Sequence, residues 1–348
     1  MSDKTRTQSG ARLSIYAIIG LILLVVLLGA AAYIAINRYV LREPAAPLEN
    51  VTIANFVYTG SCPLIAAQAK GYFTSEGVQV SSQVYSTGKA SLDAMFGGKA
   101  DLSISGEMPV MFAVLNRQPL AVIATIARGD NVTQIIGKKD RGISTPASLK
   151  GKRIGVSIGT AGHFMLNVFL TRQKMSINDV TLRDLKTEEL AGALARDEID
   201  AASTWEPTVG EIQAQLGANG VSFQAGDLYI PVLTIGGTQT YVASHTQTLQ
   251  KVLRGLIRGD DFCRDNPVEA RELIGAYFKV DANTLLASWS DYRFRVSLDQ
   301  SLVLQLEDEA RWAINNKLTK RSDMPNYLDH LDLDALQIVA PAAVTVIH

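Results

Sequence analysis

Four short segments rich in glycine, serine and threonine are the parts of this sequence best suited to holding a small molecule. They are Thr59-Gly60-Ser61-Cys62, Ser105-Gly106-Glu107, Gly159-Thr160-Ala161-Gly162 and Thr204-Trp205-Glu206-Pro207. Each segment is predicted to stand between a strand and a helix. The first N–H groups of a helix lack backbone partners and lie at the positive end of the helix dipole, so they attract anions. Because glycine also allows close backbone approach and hydroxyl groups add donors, the segments predict a site for a small polar, anionic molecule.

The candidate ligand-binding residues come from these segments and their neighbours. They are Ser61, Cys62, Ser105, Gly106, Glu107, Thr160, Ala161, Gly162, His163, Trp205, Glu206 and Gly237. Several have a structural alternative. Ser61 and Ser105 fit helix N-caps, and Trp205 fits a core aromatic residue as well as a lid over the ligand. Glu206 and Glu107 suit either a helix start or an ammonium group on the ligand.

The remaining alternatives concern single residues. His163 stands just inside a predicted helix, where packing or capping is the commoner role. Cys62 fits a small buried side chain as well as a reactive thiol near a helix start. Gly237 follows Gly236 at a place where the backbone must bend or lie close to a ligand.

Composition excludes several other functions. The 348 residues carry a net charge of -1 and no run of lysine and arginine, so we expect no nucleic-acid partner. No nucleophile–base pairing, metal-ligand spacing or phosphate-binding P-loop is recognisable, so we expect no catalytic residue, no metal and no cofactor. The two cysteines, Cys62 and Cys263, exclude a disulfide framework. A single bridge between them is left open.

The elements that must position these segments form a repeating pattern. From Val51 to Leu216, short β-rich runs alternate with amphipathic stretches, which predicts parallel or mixed sheets with helices on both faces. After Ser244 long amphipathic helices follow, with no further clear strand; we expect them to pack on the first α/β unit. Two lobes are predicted, residues 50–130 with 240–330 and residues 135–235. The two crossings are placed near Val132–Gly137 and Val232–Tyr241, and residues 331–348 form a C-terminal segment.

An apolar run precedes the soluble part. Residues 14–36 contain no charge and are long enough, as a helix, to cross a hydrocarbon core of about 30 Å. The run is interpreted as an uncleaved transmembrane helix, with residues 1–13 as a cytoplasmic tail and 37–49 as a proline-stiffened linker. The alternative is a signal peptide cleaved after Ala30-Ala31-Ala32. The expected location is the cell membrane, single-pass, with the binding domain in the periplasm or extracellular space.

Five segments in fixed order carry a resemblance to a known family. They are Ala66–Phe73 with Glu76-Gly77-Val78, Gly98–Asp101 with Ser105–Pro109, Thr145–Val156, Gly159–His163 and Asp200–Pro207. Over about residues 50–330 the chain resembles the sulfonate/nitrate/taurine and thiamine-precursor (SsuA/THI5-like) group of periplasmic binding proteins. Most members of that group are cleaved or lipidated, whereas this chain is expected to keep its N-terminal helix.

The resemblance implies a fold and a function. The implied fold is the α/β, two-lobed periplasmic-binding-protein type II fold, here with an added N-terminal transmembrane helix. The implied function is the solute-binding component of an ABC importer, with a permease and an ATPase as partners and a sulfonate, nitrate, taurine-like molecule or pyrimidine precursor as ligand. Two alternatives stay open, a membrane-anchored sensory ectodomain and a pyrimidine-synthesis enzyme. The cysteine-rich motif of those enzymes is not matched in this sequence.

Overall fold

The structure, a computed structural model, describes residues 9–35, 47–224, 226, 229–286 and 288–347. The chain divides into two compact units, Met1–Pro47 and Leu48–His348. Helix α1, Ser9–Ala35, belongs to the first unit. Its segment Ala17–Ile34 has a mean hydropathy of 2.8 and no buried side chain, so its length and composition suffice to cross a membrane. Residues 1–8 of the predicted tail and 36–46, which hold most of the predicted linker, lie outside the described residues.

The second unit is built from two sheets and the helices that cover them. In chain order its strands are β1 (Glu49–Phe56), β2 (Val78–Tyr85), β3 (Leu102–Gly106), β4 (Leu120–Gly129), β5 (Thr133–Lys138), β6 (Arg153–Val156), β7 (Thr181–Asp184), β8 (Ala201–Trp205), β9 (Gly220–Gln224), β10 (Val232–Thr238), β11 (Tyr292–Asp299) and β12 (Val344–Thr345). Its helices are α2 (Cys62–Ala69), α3 (Tyr72–Ser75), α4 (Gly88–Phe96), α5 (Glu107–Leu115), α6 (Ala161–Arg172), α7 (Leu190–Ala195), α8 (Thr208–Leu216), α9 (Gln239–Ser244), α10 (Thr246–Asp265), α11 (Pro267–Phe278), α12 (Gln300–Asn315) and α13 (Asp334–Val339).

The strand orders define two lobes. Within the described residues, one sheet has the order β12-β11-β4-β10-β3-β1-β2 and the other the order β7-β6-β8-β5-β9. Strand β1 is parallel to β2 and β3, whereas β10 runs antiparallel between β3 and β4. In the second sheet β6 is parallel to β7 and β8, and β5 is antiparallel to β8 and β9. Each sheet with its helices is called a lobe below.

The chain crosses between the lobes twice. It enters the second sheet between Gly129 and Thr133 and returns between Gln224 and Val232. Strand β10, Val232–Thr238, occupies most of the segment where the sequence placed the second crossing, and it is an interior strand of the first sheet. The segment between Gln224 and Val232, called the returning segment below, therefore ends where β10 begins.

The second lobe has helices on both faces of its sheet, as the alternating pattern predicted. Neighbouring residues Ile135 and Ile136 on β5 belong to different apolar clusters because successive side chains of a strand point to opposite faces. Ile135 packs with residues of α6, and Ile136 with residues of α7 and α8. The sheet is thus buried on both faces.

The expectation that no strand follows Ser244 is wrong. Strand β11 pairs antiparallel with β4 and extends the first sheet, and β12 pairs parallel with β11. Along β11, Tyr292 and Phe294 are buried while Arg293 and Arg295 are exposed, which is the two-residue period of a half-buried strand. Residues 331–348, predicted as a separate segment, contribute α13 and β12 to this lobe.

The long C-terminal helices pack on the first lobe, as expected. Helix α10 lies against α2 through Gly259 and Cys263 and against Phe73 of α3 through Gly255, and these three residues share one face because they are four residues apart. A methyl group at Gly259 would overlap the carbonyl oxygen of Pro63. Cys263 forms a disulfide with Cys62, the pairing that the sequence left open.

Candidate ligand-binding site

A small cavity lies between the two lobes, and both lobes supply its walls. It encloses about 50 Å³. The first lobe contributes the N-terminal turns of α4 and α5 and the residues that end and follow β1. The second lobe contributes Thr133 at the start of β5, the start of α6, and Trp205 at the end of β8. The returning segment and the start of β10 close the cavity with Pro231, Val232 and Leu233.

Three helix N-termini of the described chain meet at this cavity. Helices α4, α5 and α6 are the next helices after β2, β3 and β6, so they begin at the carboxyl ends of parallel strands. The N-cap of α4 is Thr87, whose hydroxyl accepts a hydrogen bond from the Ala90 N–H at 3.1 Å. The N-caps of α5 and α6 are Gly106 and Thr160. Since each N-terminus carries about half a positive charge, their convergence favours a negatively charged group in the cavity.

Aromatic and aliphatic side chains form the rest of the wall. Phe56 and Tyr58 stack with ring centroids 5.5 Å apart, and both contribute to the lining. Trp205 is 8% exposed and comes from the other lobe. Met108 and Leu233 add apolar surface. The cavity therefore combines a polar end made of helix N-termini with an apolar wall suited to an organic group.

Glu107 is an acidic residue at this cavity. It is the first residue of α5 and only 1% exposed. One carboxyl oxygen accepts a hydrogen bond from the Tyr229 hydroxyl, and the other accepts one from the Val232 N–H at 2.7 Å. Burial raises the pKa of Glu107 to about 7, although these hydrogen bonds act in the opposite direction. Near neutral pH a substantial share of this carboxyl is therefore neutral.

Thr133 offers an unused polar group. It is 3% exposed, and its hydroxyl oxygen has no hydrogen-bond partner among the described residues. Because an unpaired buried hydroxyl is costly, a ligand atom or a water molecule in the cavity would stabilise it.

A wider cleft adjoins the cavity. It encloses about 480 Å³ and lies between α4, α5 and the Ile158-Gly159 turn of the second lobe. Lys89 and Pro109 line both spaces. Lys89 forms an exposed ion pair with Asp93 at 2.6 Å, so its ammonium charge is already paired with a carboxylate.

The structure brings five of the predicted residues together at the cavity. They are Gly106, Glu107, Thr160, Ala161 and Trp205. The Thr160 hydroxyl donates a hydrogen bond to the Ser157 carbonyl at 2.6 Å, so it stabilises its own turn.

Three predicted residues of the first lobe lie elsewhere. Ser61 is fully buried, and its hydroxyl donates a hydrogen bond to the Asn55 side chain at 2.9 Å. Cys62 is bonded to Cys263 and presents no thiol to a ligand. Ser105 is buried within β3 and does not line the cavity. The segment Thr59-Gly60-Ser61-Cys62 thus holds the start of α2 in place and does not contact the cavity.

Two predicted residues of α6 pack against protein. At Gly162 a side chain would meet the carbonyl oxygen of Ser203, so the glycine lets α6 approach β8 closely. His163 is 4% exposed, and its Nδ1 accepts a hydrogen bond from the Gly159 N–H at 3.3 Å. Its ring stands edge-to-face on Trp312 of α12. Burial lowers the pKa of His163, which favours the neutral ring whose Nδ1 accepts the Gly159 hydrogen bond.

Glu206 and Gly237 also have structural roles. The Glu206 carboxylate accepts a hydrogen bond from the Gly210 N–H at 3.1 Å, in the first turn of α8, and burial raises the pKa of Glu206 to about 7. Gly237 packs in β10 against Val242 and Leu102. Neither residue lines the cavity.

The sequence interpretation missed several lining residues. They are Phe56, Tyr58, Thr87, Gly88, Lys89, Met108, Pro109, Thr133, Pro231, Val232 and Leu233. Thr87-Gly88 follows a predicted strand and carries the same signal as the segments that were chosen. The crossing residues Thr133 and Pro231–Leu233 carry no local signal, because only the return of the chain brings them to the cavity.

Comparisons with known proteins find a matching family profile and similar curated proteins. The profile of the family described as NMT1/THI5 like matches residues 58–270. A Brucella abortus protein whose name describes it as a binding protein is 25% identical over 234 residues, covering 66% of this chain and 71% of that protein. The taurine-binding periplasmic protein of Escherichia coli is 28% identical over 210 residues, covering 60% of this chain and 62% of that protein.

Solved structures share the fold. The alkanesulfonate-binding protein SsuA from Xanthomonas axonopodis pv. citri bound to MOPS superposes with a TM-score of 0.71 at 17% identity. The match covers 87% of this chain and 100% of that chain. At this identity the likeness concerns the fold alone, and it confirms the two-lobed periplasmic-binding-protein fold that the sequence predicted.

Proposed function

Because this chain belongs to the NMT1/THI5-like family, we propose that it is the extracytoplasmic solute-binding component of an ABC importer and captures a small organic anion between its lobes. The observation that carries the proposal is the meeting of the N-termini of α4, α5 and α6 at one cavity. Each N-terminus attracts negative charge, and the three meet at one cavity.

The lining favours an organic anion over an inorganic one. Phe56, Tyr58 and Trp205 give the ligand apolar surface that nitrate cannot use. A sulfonate bearing a short carbon chain, or a taurine-like molecule, would place its charged head at the helix N-termini and its chain against the rings. The adjoining cleft leaves room for a longer chain.

The proposed location follows from α1 together with the periplasmic taurine-binding relative. Helix α1 would remain as an uncleaved anchor, with the two-lobed unit outside the cytoplasmic membrane. N-terminal sequencing of protein from the membrane fraction tests this. A mature chain that begins near Tyr33 would contradict the anchor and support a cleaved signal peptide.

A charge substitution tests whether the ligand is an anion. Thr87 caps α4 and lines the cavity, and both aspartate and asparagine are good N-caps. Thr87→Asp should keep the helix but add a negative charge beside the ligand, whereas Thr87→Asn should keep the helix without the charge. With taurine, 1-butanesulfonate and nitrate as probes on the full chain in detergent, we expect Thr87→Asp to weaken binding at least tenfold, about 1.4 kcal/mol, relative to Thr87→Asn. Equal affinity of the two variants for a bound probe would refute an anion at this end of the cavity.

An uptake assay tests the importer. Cells lacking this protein should lose uptake of the radiolabelled probe that the purified chain binds, and the Thr87→Asn variant should restore it better than Thr87→Asp. If uptake is unchanged while transcription responds to the probe, the sensory ectodomain is the correct reading.

A further inference from the structure

We propose that Glu107 and Glu309 form a buried acid pair that retains a proton at neutral pH and thereby links anion binding in the cavity to proton uptake. The part of this inference that concerns the anion rests on the proposed function. The part that concerns the acid pair rests on the geometry of α5, α12 and the returning segment.

The first member of the pair touches both the cavity and the returning segment. Glu107 contributes to the cavity lining, and its two oxygens accept hydrogen bonds from the Tyr229 hydroxyl and the Val232 N–H. Tyr229 and Val232 stand at the end of the segment by which the chain leaves the second sheet. The same carboxyl therefore lies beside the ligand space and holds this crossing in place.

The second member is linked to the same returning segment, through Gln305 and the carbonyl of Ile230. Glu309 is fully buried on α12, which packs against α5. The Gln305 amide donates a hydrogen bond to one oxygen of Glu309 at 3.1 Å and another to the Ile230 carbonyl at 3.1 Å. The other oxygen of Glu309 has no hydrogen-bond partner among the described residues. An ionised carboxylate with an unpaired oxygen in such a site is costly, so the protonated form is favoured.

The groups around the pair do not neutralise two negative charges. Arg128 of β4 is the cation whose charge acts on Glu107, but it also interacts with Asp299 at 3.4 Å. Asp308 of α12 adds a further negative charge near Glu309. Further titratable neighbours in the described part of the chain are the phenols of Tyr58, Tyr229 and Tyr327, from the segment after β1, the returning segment and the turn after α12. Neither carboxyl forms an ion pair within the part of the chain that the structure describes.

The direction of the coupling follows from like-charge repulsion. Burial raises the pKa of Glu107 to about 7, and burial together with the charge of Glu107 raises the pKa of Glu309 well above its ordinary value. Two interacting carboxyls titrate as a pair, so the second proton is lost only at higher pH than either would show alone. An anion in the cavity disfavours the ionised pair further, so the acid pair of the protein takes up a proton when the anion binds. Its affinity should therefore be flat below the titration of the pair and fall by up to about tenfold per pH unit above it.

Calorimetry on the full chain in detergent tests the linkage. We would titrate 1-butanesulfonate at about pH 6, 7 and 8, in two buffers of different ionisation enthalpy at each pH. Wild type should bind more weakly as pH rises and should take up protons. Glu309→Gln should move the fall in affinity to lower pH, because Glu107 then titrates without the second acid that delays loss of the last proton, and Glu107→Gln should abolish most of the fall. Glu206→Gln is the matched control, since Glu206 is also buried but lies outside the cavity lining, and it should leave the pH profile unchanged.

Infrared spectroscopy tests the acid pair without a ligand. The carbonyl-stretch band of a buried protonated carboxyl should persist at neutral pH in wild type and decrease in Glu107→Gln and in Glu309→Gln. If 1-butanesulfonate does not bind, the proposed ligand class is wrong while this band still decides the acid pair. A band that neither substitution changes would overturn the pair, even if one of the variants fails to bind. An affinity for 1-butanesulfonate that is independent of pH, or that rises with pH, would overturn the linkage.

Discussion

Removal of the Cys62–Cys263 disulfide should lower the stability of the folded chain substantially. The bond joins residues 201 positions apart and ties the start of α2 to the end of α10. The chain-entropy model gives about 5 kcal/mol for a closed loop of that length, and measured effects of removing native disulfides are about 2–5 kcal/mol. Both cysteines are at most 1% exposed, so paired alanine substitution leaves only a small apolar gap. We expect a total loss of about 3–5 kcal/mol in Cys62→Ala/Cys263→Ala.

Urea unfolding of the full chain in detergent, followed by circular dichroism, measures this loss. Wild type and the double variant would each be unfolded with and without a reductant. The reductant should lower the wild-type midpoint to near that of the double variant and leave the double variant unchanged, which is the internal control. If oxidised wild type and the double variant unfold at the same urea concentration, the bond does not constrain the unfolded chain as argued. A stable disulfide would also agree with the proposed location, because such bonds persist in oxidising compartments.

Three further predictions concern packing and pH. Gly162→Ala should cost about 1–3 kcal/mol, since its methyl group meets the Ser203 carbonyl; thermal unfolding measures it, and an unchanged midpoint would contradict the close approach. Gly259→Ala should destabilise the chain by about 1–3 kcal/mol or more, because α10 must move away from Pro63. Thermal unfolding measures this change as well, and an unchanged midpoint would refute the close contact between α10 and Pro63. The pKa of Glu206 is raised from 4.5 to about 7, so the folded state holds this proton more tightly than the unfolded state does. Stability should therefore fall as pH rises from about 4.5 to about 7, by up to about 3 kcal/mol, and Glu206→Gln should flatten this part of the profile in urea unfolding at several pH values.

Local sequence was sufficient to predict cavity-lining residues where they stand at a strand–helix junction. Gly106-Glu107 and Thr160-Ala161 line the cavity because each pair stands at the start of a helix that follows a parallel strand. This position is a property of the βα unit itself, so the alternating pattern predicts it. The junction at Thr87-Gly88 carries the same signal and could have been found in the same way.

The same signal did not predict a residue's role where packing against distant parts of the chain determines that role. The segment ending in Cys62 also lies between a strand and a helix, yet its cysteine bonds to a residue 201 positions away. Gly162 illustrates a second ambiguity, because close approach to a ligand and close approach to Ser203 both require the absence of a side chain. Sequence alone does not distinguish these two reasons for a glycine.

Strand β11 was missed for a different reason. Its alternation of Tyr292 and Phe294 with exposed arginines is short and follows three helices, where the helical period dominates the pattern. Its place at β4 depends on a partner strand more than 160 residues earlier in the chain, since Tyr292 pairs with Gly129. The C-terminal residues then complete the first lobe through α13 and β12.

The placement of Glu107 gives the proposed binding mechanism a specific linkage. The cavity is complete only when the N-termini of α4 and α5 meet that of α6 and Trp205, so a ligand that uses both walls stabilises the arrangement in which the lobes are together. Glu107 lies on the first-lobe side of this cavity and accepts hydrogen bonds from Tyr229 and Val232 of the crossing. A change in its charge therefore acts on the ligand and on the crossing at the same time. An anion that favours the neutral carboxyl would also weaken the two hydrogen bonds that hold the crossing, because both bonds are stronger when the acceptor carboxyl is ionised. Ligand affinity and the mobility of the lobes should then respond to the same titration.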